Sequence, residues 1–141
     1  MVRFVDRELP RVPLVVVAPE SSYAYALYTT QEVRFDESAT SMTGFTPALP
    51  DGSVHLMSAH WDNPGAQRSA AAALATRQDL AWFARRLRAR PSQVAVVGCD
   101  IDLEPGLLRA ALMANGYRQL RRTNFDRNVY RCAVSLWDPS R

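Results

Sequence analysis

Apolar residues fall along this chain in short blocks, each bounded by turn-forming residues. Leu14-Val15-Val16-Val17-Ala18 is brief, β-branched and framed by Pro13 and Pro19, which predicts a strand. Glu20-Ser21-Ser22 reads as a turn. Tyr23, Tyr25 and Leu27 then alternate with alanines, and Thr and Val continue the stretch to Phe35. That alternation predicts a second strand hairpinned to the first, with a short helix as the alternative. Asp36 to Asp51 is rich in Ser, Thr, Pro and Gly and reads as a long loop, a length that often carries function. Asp51-Gly52 marks a turn, and Val54 to Trp61 predicts a third strand.

The period changes after Asp62-Asn63-Pro64-Gly65. Gln67 to Arg90 is rich in Ala and Leu, and Leu80, Phe83, Ala84 and Leu87 recur at helical spacing. Thr76 and Asp79 form a T-x-x-D pattern related to the capping box, so the stretch is one helix or two. Pro91 ends it, and Gln93 to Cys99 predicts a buried strand. Pro105 suits the first turn of a helix striped by Leu107, Leu108, Ala111 and Leu112, and Asn115-Gly116 supplies a left-handed cap. Arg118 to Arg122 and Asn128 to Trp137 read as a closing pair of strands. The expected fold is a single α/β (α+β) domain over residues 1–141. Its mixed, mainly antiparallel sheet is flanked by two helices, in the order ββ-β-α-β-α-ββ.

Composition narrows the class. A chain of 141 residues, 48% hydrophobic and 22% charged, is an ordinary globular composition with one core. No apolar run reaches the roughly 18 residues of a membrane span, and no leader is expected at the start. All 17 basic residues are Arg, which excludes Schiff-base and phosphate-loop lysine chemistry. They bunch at Arg85, Arg86, Arg88 and Arg90, and again from Arg118 to Arg131. Guanidinium forks suit phosphate oxygens, so nucleic acid is an admissible partner, although a net charge of +3 does not require one. A solvated helix face is the plainer reading. The two cysteines, Cys99 and Cys132, cannot build a zinc site of the usual spacing. They are expected to be buried free thiols of a cytoplasmic protein, with a disulfide between neighbouring strands as the alternative.

The order of elements, together with Gln67-Arg68-Ser69-Ala70-Ala71-Ala72 after a strand and Pro64 just upstream, resembles the GCN5-related N-acetyltransferase superfamily. That family carries a Q/R-x-x-G-x-G/A loop at this place, whose backbone N–H groups hold the pyrophosphate of acyl-coenzyme A at a helix start. Gly116-Tyr117 matches its Gly-aromatic pair after the fourth helix. The resemblance implies acetyl-coenzyme A as cofactor, no metal, and an amine acceptor on a small molecule or protein. It implies coenzyme contacts from Ala59, Trp61, Gln67, Arg68, Ser69, Ala70, Ala71 and Ala72. Four departures stand. Ala70 replaces the first glycine, so a methyl crowds the phosphates. Leu112 stands where the family often has an acidic tyrosine. The family's two helices between its first and second strands have no room before Leu14. No Glu lies on the third strand as a base, which leaves His60, or His55, to take a proton from an ammonium.

Two other readings use other residues. Val96 to Pro105, with Asp100 and Asp102, is similar to the G-D-F-N segment of the endonuclease/exonuclease/phosphatase family, and His60 followed by Arg68 fits that family's strand histidine and helix. The implied chemistry is metal-assisted phosphodiester hydrolysis. The family's closing S-D-H is replaced by Trp137-Asp138-Pro139-Ser140-Arg141. The chain also resembles the small α/β proteins that form rings in phage tails and necks. In that case it is a non-catalytic homo-oligomeric assembly module. Its long loop, strand edges and Trp61, Trp82 and Trp137 are then contacts between copies.

Overall fold

A strand of four consecutive aliphatic residues can satisfy its side chains only inside a sheet covered on both faces. Leu14–Val17 (β1) is such a strand, and all four of its residues are buried. In the computed structural model, residues 1–9, 11–36, 46–49, 54–56, 80–99, 106–127 and 130–140 are described. They form helices α1 (Val2–Glu8), α2 (Pro19–Tyr28), α3 (residues 80–88) and α4 (Gly106–Ala114). The strands after β1 are β2 (Arg34–Asp36), β3 (Thr46–Ala48), β4 (Val54–Leu56), β5 (Val94–Cys99), β6 (Tyr117–Arg127) and β7 (Tyr130–Pro139).

The main sheet has the order β4-β1-β5-β7-β6, and β2 pairs with β3 apart from it. β1 runs parallel to both neighbours, with Val17 aligned between Leu56 and Val97. β5 pairs antiparallel with β7, which pairs antiparallel with β6. Alternation then divides the aliphatic residues between two layers. Val15, Val17, Ala95, Val97 and Val134 pack with Val2 and Val5 of α1 and Tyr25 of α2. Leu14, Val16, Val94, Val96 and Trp137 pack with Phe83 and Leu87 of α3 and Leu108 and Leu112 of α4. Phe83 and Leu112 are fully excluded from solvent, each contributing about 1.5–3 kcal/mol through burial.

Helix ends follow backbone preference in one case and oppose it in the other. Gly116 closes α4 at φ 75, a left-handed position where glycine is the least strained residue. Arg90 does the same work after α3 at φ 51, its N–H donating to Leu87 O at 2.9 Å. On the first face, the Asp6 carboxylate of α1 accepts from Thr30 N (2.9 Å), Thr30 Oγ1 (3.2 Å), Thr29 Oγ1 (3.2 Å) and Tyr25 Oη (3.4 Å). One side chain thereby holds α1 against the end of α2. Phe4 of α1 stacks edge-on against Phe125 of β6 at 5.2 Å.

Several expectations are corrected. Tyr23 to Phe35 does not open as a strand: Pro19–Tyr28 is helical and takes in the supposed turn Glu20-Ser21-Ser22. Pro19 at the first helical position presets the backbone, and Tyr25 is buried while Leu27 and Tyr28 are 75% and 70% exposed. The sheet is mixed, with its longest ladders antiparallel as expected, but not throughout. Its β4-β1-β5 half is parallel, because helical crossovers rather than hairpins join those strands. Four helices, not two, cover it among the described residues, and α1 had no periodic signal long enough to predict it. Within the supposed loop from Asp36 to Asp51, Thr46–Ala48 pairs with β2. The cysteines are not free thiols: Cys132 is disulfide-bonded, and the chain's one other cysteine, Cys99, is its partner in the β5–β7 register. The argument from free thiols to a reducing cytoplasm therefore falls away. The predicted strand at Gln93 to Cys99, the helix after Pro105 and the two closing strands are present, the closing pair longer than expected.

Candidate functional site

The parallel strands decide where a site can be built. Val17, Leu56 and Val97 form one row across β1, β4 and β5, and the chain leaves all three strands at the same rim. From β1 it turns to α2 on one face, whereas β4 and β5 lead to α3 and α4 on the other. In open α/β sheets, neighbouring connections that part to opposite faces mark the carboxyl ends of the strands as the place where ligands are taken. The row Leu56–Val17–Val97 lies at that rim, buried in the core.

Hydrogen bonds tie the exit of β1 to its neighbours. Ala18, 2% exposed, donates its N–H to Val97 O at 2.8 Å, which ties the exit of β1 to β5. Its extended backbone (φ −61, ψ 153) serves as the N-cap of α2, and its carbonyl accepts from Ser21 N at 2.9 Å and Ser22 Oγ at 3.2 Å. Ser21 and Ser22 have no solvent exposure. The Ser22 hydroxyl is committed to the first helical turn and is not placed as a nucleophile. Gly98 lies across from this turn: a Cβ there would sit 3.8 Å from that of Ala18, an ordinary contact. The approach of β5 to α2 is therefore close without demanding glycine.

The candidate residues read from sequence divide by position. Ala59, His60 and Trp61, and Gln67, Arg68, Ser69, Ala70, Ala71 and Ala72, lie outside the described residues, in the connection that leaves β4 at Leu56. Asp100 and Asp102 also lie outside them, in the connection that leaves β5 at Cys99. His55 belongs to β4 with its backbone in register with Val16. The structure thus brings together the strand ends from which these segments depart. Sequence reading missed the Ala18–Ser22 turn and Gly98. The signal for the former was a proline directly after an aliphatic strand. Among the described residues no group of three or more His, Cys, Asp or Glu is arranged to hold a metal. No described helix is long and apolar enough to cross a membrane.

Comparison of the chain with protein-family models, curated proteins and solved structures returns no match.

Proposed function

We propose that this protein binds a phosphoryl-bearing coenzyme, acyl-coenzyme A, at the carboxyl rim of β1, β4 and β5, and transfers its acetyl group to an amine. The observation that carries the reading is the shared rim. The connection containing Gln67 to Ala72 leaves the sheet beside the exit of β1 into the Ala18–Ser22 turn, one strand away from the end of β5. In this reading the backbone amides of Gln67, Arg68, Ser69, Ala70, Ala71 and Ala72 hold the pyrophosphate. The pantetheine arm lies along the continuation of β4 through Ala59 and Trp61. Two features support this. β4 is the terminal strand of its sheet and leaves one edge for such an arm, and α2, between the first and second strands, supplies a wall for the acceptor. On such a thioester the amine nitrogen would bond to the carbonyl carbon as the carbon–sulfur bond broke and released the coenzyme thiolate, and His60 would take the proton the amine gives up and return it to that sulfur. Proximity supplies most of the acceleration. In the cytoplasm this activity would require the disulfide to withstand the glutathione pool.

A second reading has its own observation. Asp100 follows Cys99 at the same rim, so a divalent cation held by Asp100 and Asp102 for phosphodiester hydrolysis would use that place too. The assembly-module reading is less well served. The edge strand β6 carries Arg118, Arg121, Arg122 and Arg127 and an irregularity between Gln119 and Arg121, two devices that block edge-to-edge pairing.

Thermal unfolding with acetyl-coenzyme A, or with Mn2+, in place of buffer separates the readings. A ligand at about 100 times its Kd adds about 2.7 kcal/mol, a rise of several degrees for a domain of this size. A rise with acetyl-coenzyme A that adenosine does not reproduce, enlarged by Ala70→Gly, supports the acetyltransferase. A rise with Mn2+ alone replaces it with the hydrolase reading. No rise at saturating acetyl-coenzyme A overturns it.

A further inference from the structure

Val97 turns its carbonyl oxygen toward β1, where it accepts from Ala18 N at 2.8 Å. The N–H and C=O of one strand residue point to the same side, so Val97 exchanges no ladder hydrogen bonds with Val134, its partner in β7. Alternation then makes Gly98 and Ala133 the last hydrogen-bonded pair of the β5–β7 ladder. Cys99 and Cys132, one rung further, are a non-hydrogen-bonded pair. Such partners bring their Cα atoms to about 4.5 Å, within disulfide range. The outermost rung is thus closed by a covalent bond and by no hydrogen bond of its own. Support from β1 stops short of it. The β1–β5 register ends at Val17 with Val97, and the Ala18 carbonyl accepts from Ser21 N and Ser22 Oγ of α2. Gly98 and Cys99 extend past β1, with β7 as their neighbour among the described residues.

This position separates the bond from a staple through the core. Val94, Ala95, Val96 and Val97 are buried and in register with both β1 and β7, so the body of the sheet is held without the sulfur atoms. Cys132 is half-buried, as is Ala133 beside it, which leaves an approach for a small thiolate in the folded chain.

We propose that the Cys99–Cys132 bond is a redox latch on the carboxyl rim. Oxidised, it fixes the exit of β5; reduced, it frees that exit while the sheet stays folded, and ligand binding at the rim weakens. Its effect on the ligand rests on the coenzyme reading; its effect on the strand does not. The co-reactant is a dithiol. One thiolate attacks the Cys132 sulfur, the sulfur–sulfur bond breaks, and the Cys99 thiolate leaves and takes up a proton. The second thiol of the reductant attacks the mixed disulfide and releases Cys132 as a thiol. The protein gains two electrons and two protons, and the dithiol becomes a disulfide. Reduction removes the tie of a rung that has no hydrogen bond, so Gly98 and Ala133 become the fraying end of the ladder.

The test is residue-resolved amide hydrogen exchange of the full chain, oxidised and after dithiothreitol, across urea concentrations below unfolding. In the oxidised protein the Gly98 and Ala133 amides should share the urea dependence of Val96 and Ser135, the hydrogen-bonded pair next inward. After reduction they should exchange at least about tenfold faster than that pair, through an opening that low urea does not accelerate. Cys99→Ser with Cys132→Ser should match the reduced protein with or without dithiothreitol; if that variant fails to fold, the reduced parent decides. Affinity for acetyl-coenzyme A should fall about 5- to 150-fold on reduction, and saturating coenzyme should shift the dithiothreitol equilibrium by the same factor. The latch is overturned if the native protein reacts with dithiothreitol only as fast as it unfolds, or if the reduced chain does not stay folded. It is also overturned if reduction speeds both pairs of amides together, the mark of a bond that only adds to global stability. Equal coenzyme affinity in both forms overturns its effect on the ligand. If the exchange result holds and neither form binds acetyl-coenzyme A, the latch stands and the coenzyme reading falls.

Discussion

Breaking the disulfide should cost this protein a large part of its stability. Cys132 is disulfide-bonded, and the remaining cysteine, Cys99, faces it at the last rung of the β5–β7 ladder. The bond closes a loop of about 33 residues that contains α4 and β6. Chain-entropy reasoning gives about 4 kcal/mol for a loop of that length. That lies between the roughly 3 kcal/mol of a 15-residue loop and the 4.7 kcal/mol of a 100-residue one. Hairpin structure surviving between β6 and β7 in the unfolded chain would lower the figure, so about 2–4 kcal/mol is the expected span. For 141 residues the unfolding entropy is about 0.3 kcal/mol/K, and Tm should fall by about 7–13 °C. The assay is urea unfolding with and without a phosphine reductant, repeated on Cys99→Ala/Cys132→Ala. Reduction should also raise the m-value, because an uncrosslinked chain exposes more surface on unfolding. Two results would refute the reasoning. One is two reactive thiols in denaturant without reductant. The other is a loss below about 1 kcal/mol in both the reduced protein and the double variant.

Four further outcomes are expected. Gly116→Ala should cost about 1–2 kcal/mol by denaturant unfolding, all of it backbone strain, since a Cβ there meets nothing within 4 Å. Arg90→Gly should instead raise stability by up to about 1 kcal/mol; a destabilised variant would contradict the backbone assignment. Asp6→Ala should cost about 1–3 kcal/mol and speed hydrogen exchange at Thr30, whose N–H loses its acceptor. Burial holds the Tyr117 phenol above its ordinary 10.0, with Arg90 pulling the other way. The folded chain therefore keeps that proton after the unfolded chain has released it. The contribution is complete below pH 10 and is lost as pH rises through the folded value. Tyr117→Phe should flatten that alkaline decline, and an unchanged decline would assign it to other groups.

How much of this could be read from sequence depended on whether local pattern or distant pairing decided the outcome. β5, α4 and the β6–β7 hairpin were legible because each has a clean period between clear stops such as Pro91 and Gly116. α2 was misread because Tyr23, Tyr25 and Leu27 satisfy a period of two by accident. Tyr25 is buried while Leu27 is exposed, and Pro19 was the better witness. The disulfide was legible only as an alternative: that Cys99 stands opposite Cys132 is a property of the β5–β7 register, which no window of sequence contains. For the site, sequence picked out segments at Ala59 to Ala72 and at Asp100 and Asp102. The rim that unites their points of departure emerges only when β1 is placed between β4 and β5.

That placement also sets a timetable. Every rung between β1 and β5 joins residues 80 positions apart, as in Val17 with Val97, and β7 then needs β5 as its template. At about 5–20 residues per second, a ribosome takes roughly 4–16 s to deliver the second strand after the first. Through that interval Leu14-Val15-Val16-Val17 has β4 as its one available neighbour, and no antiparallel half exists to complete the sheet. Folding should therefore be late, slow for a domain of this length, and dependent on whatever shields that aliphatic strand while synthesis continues.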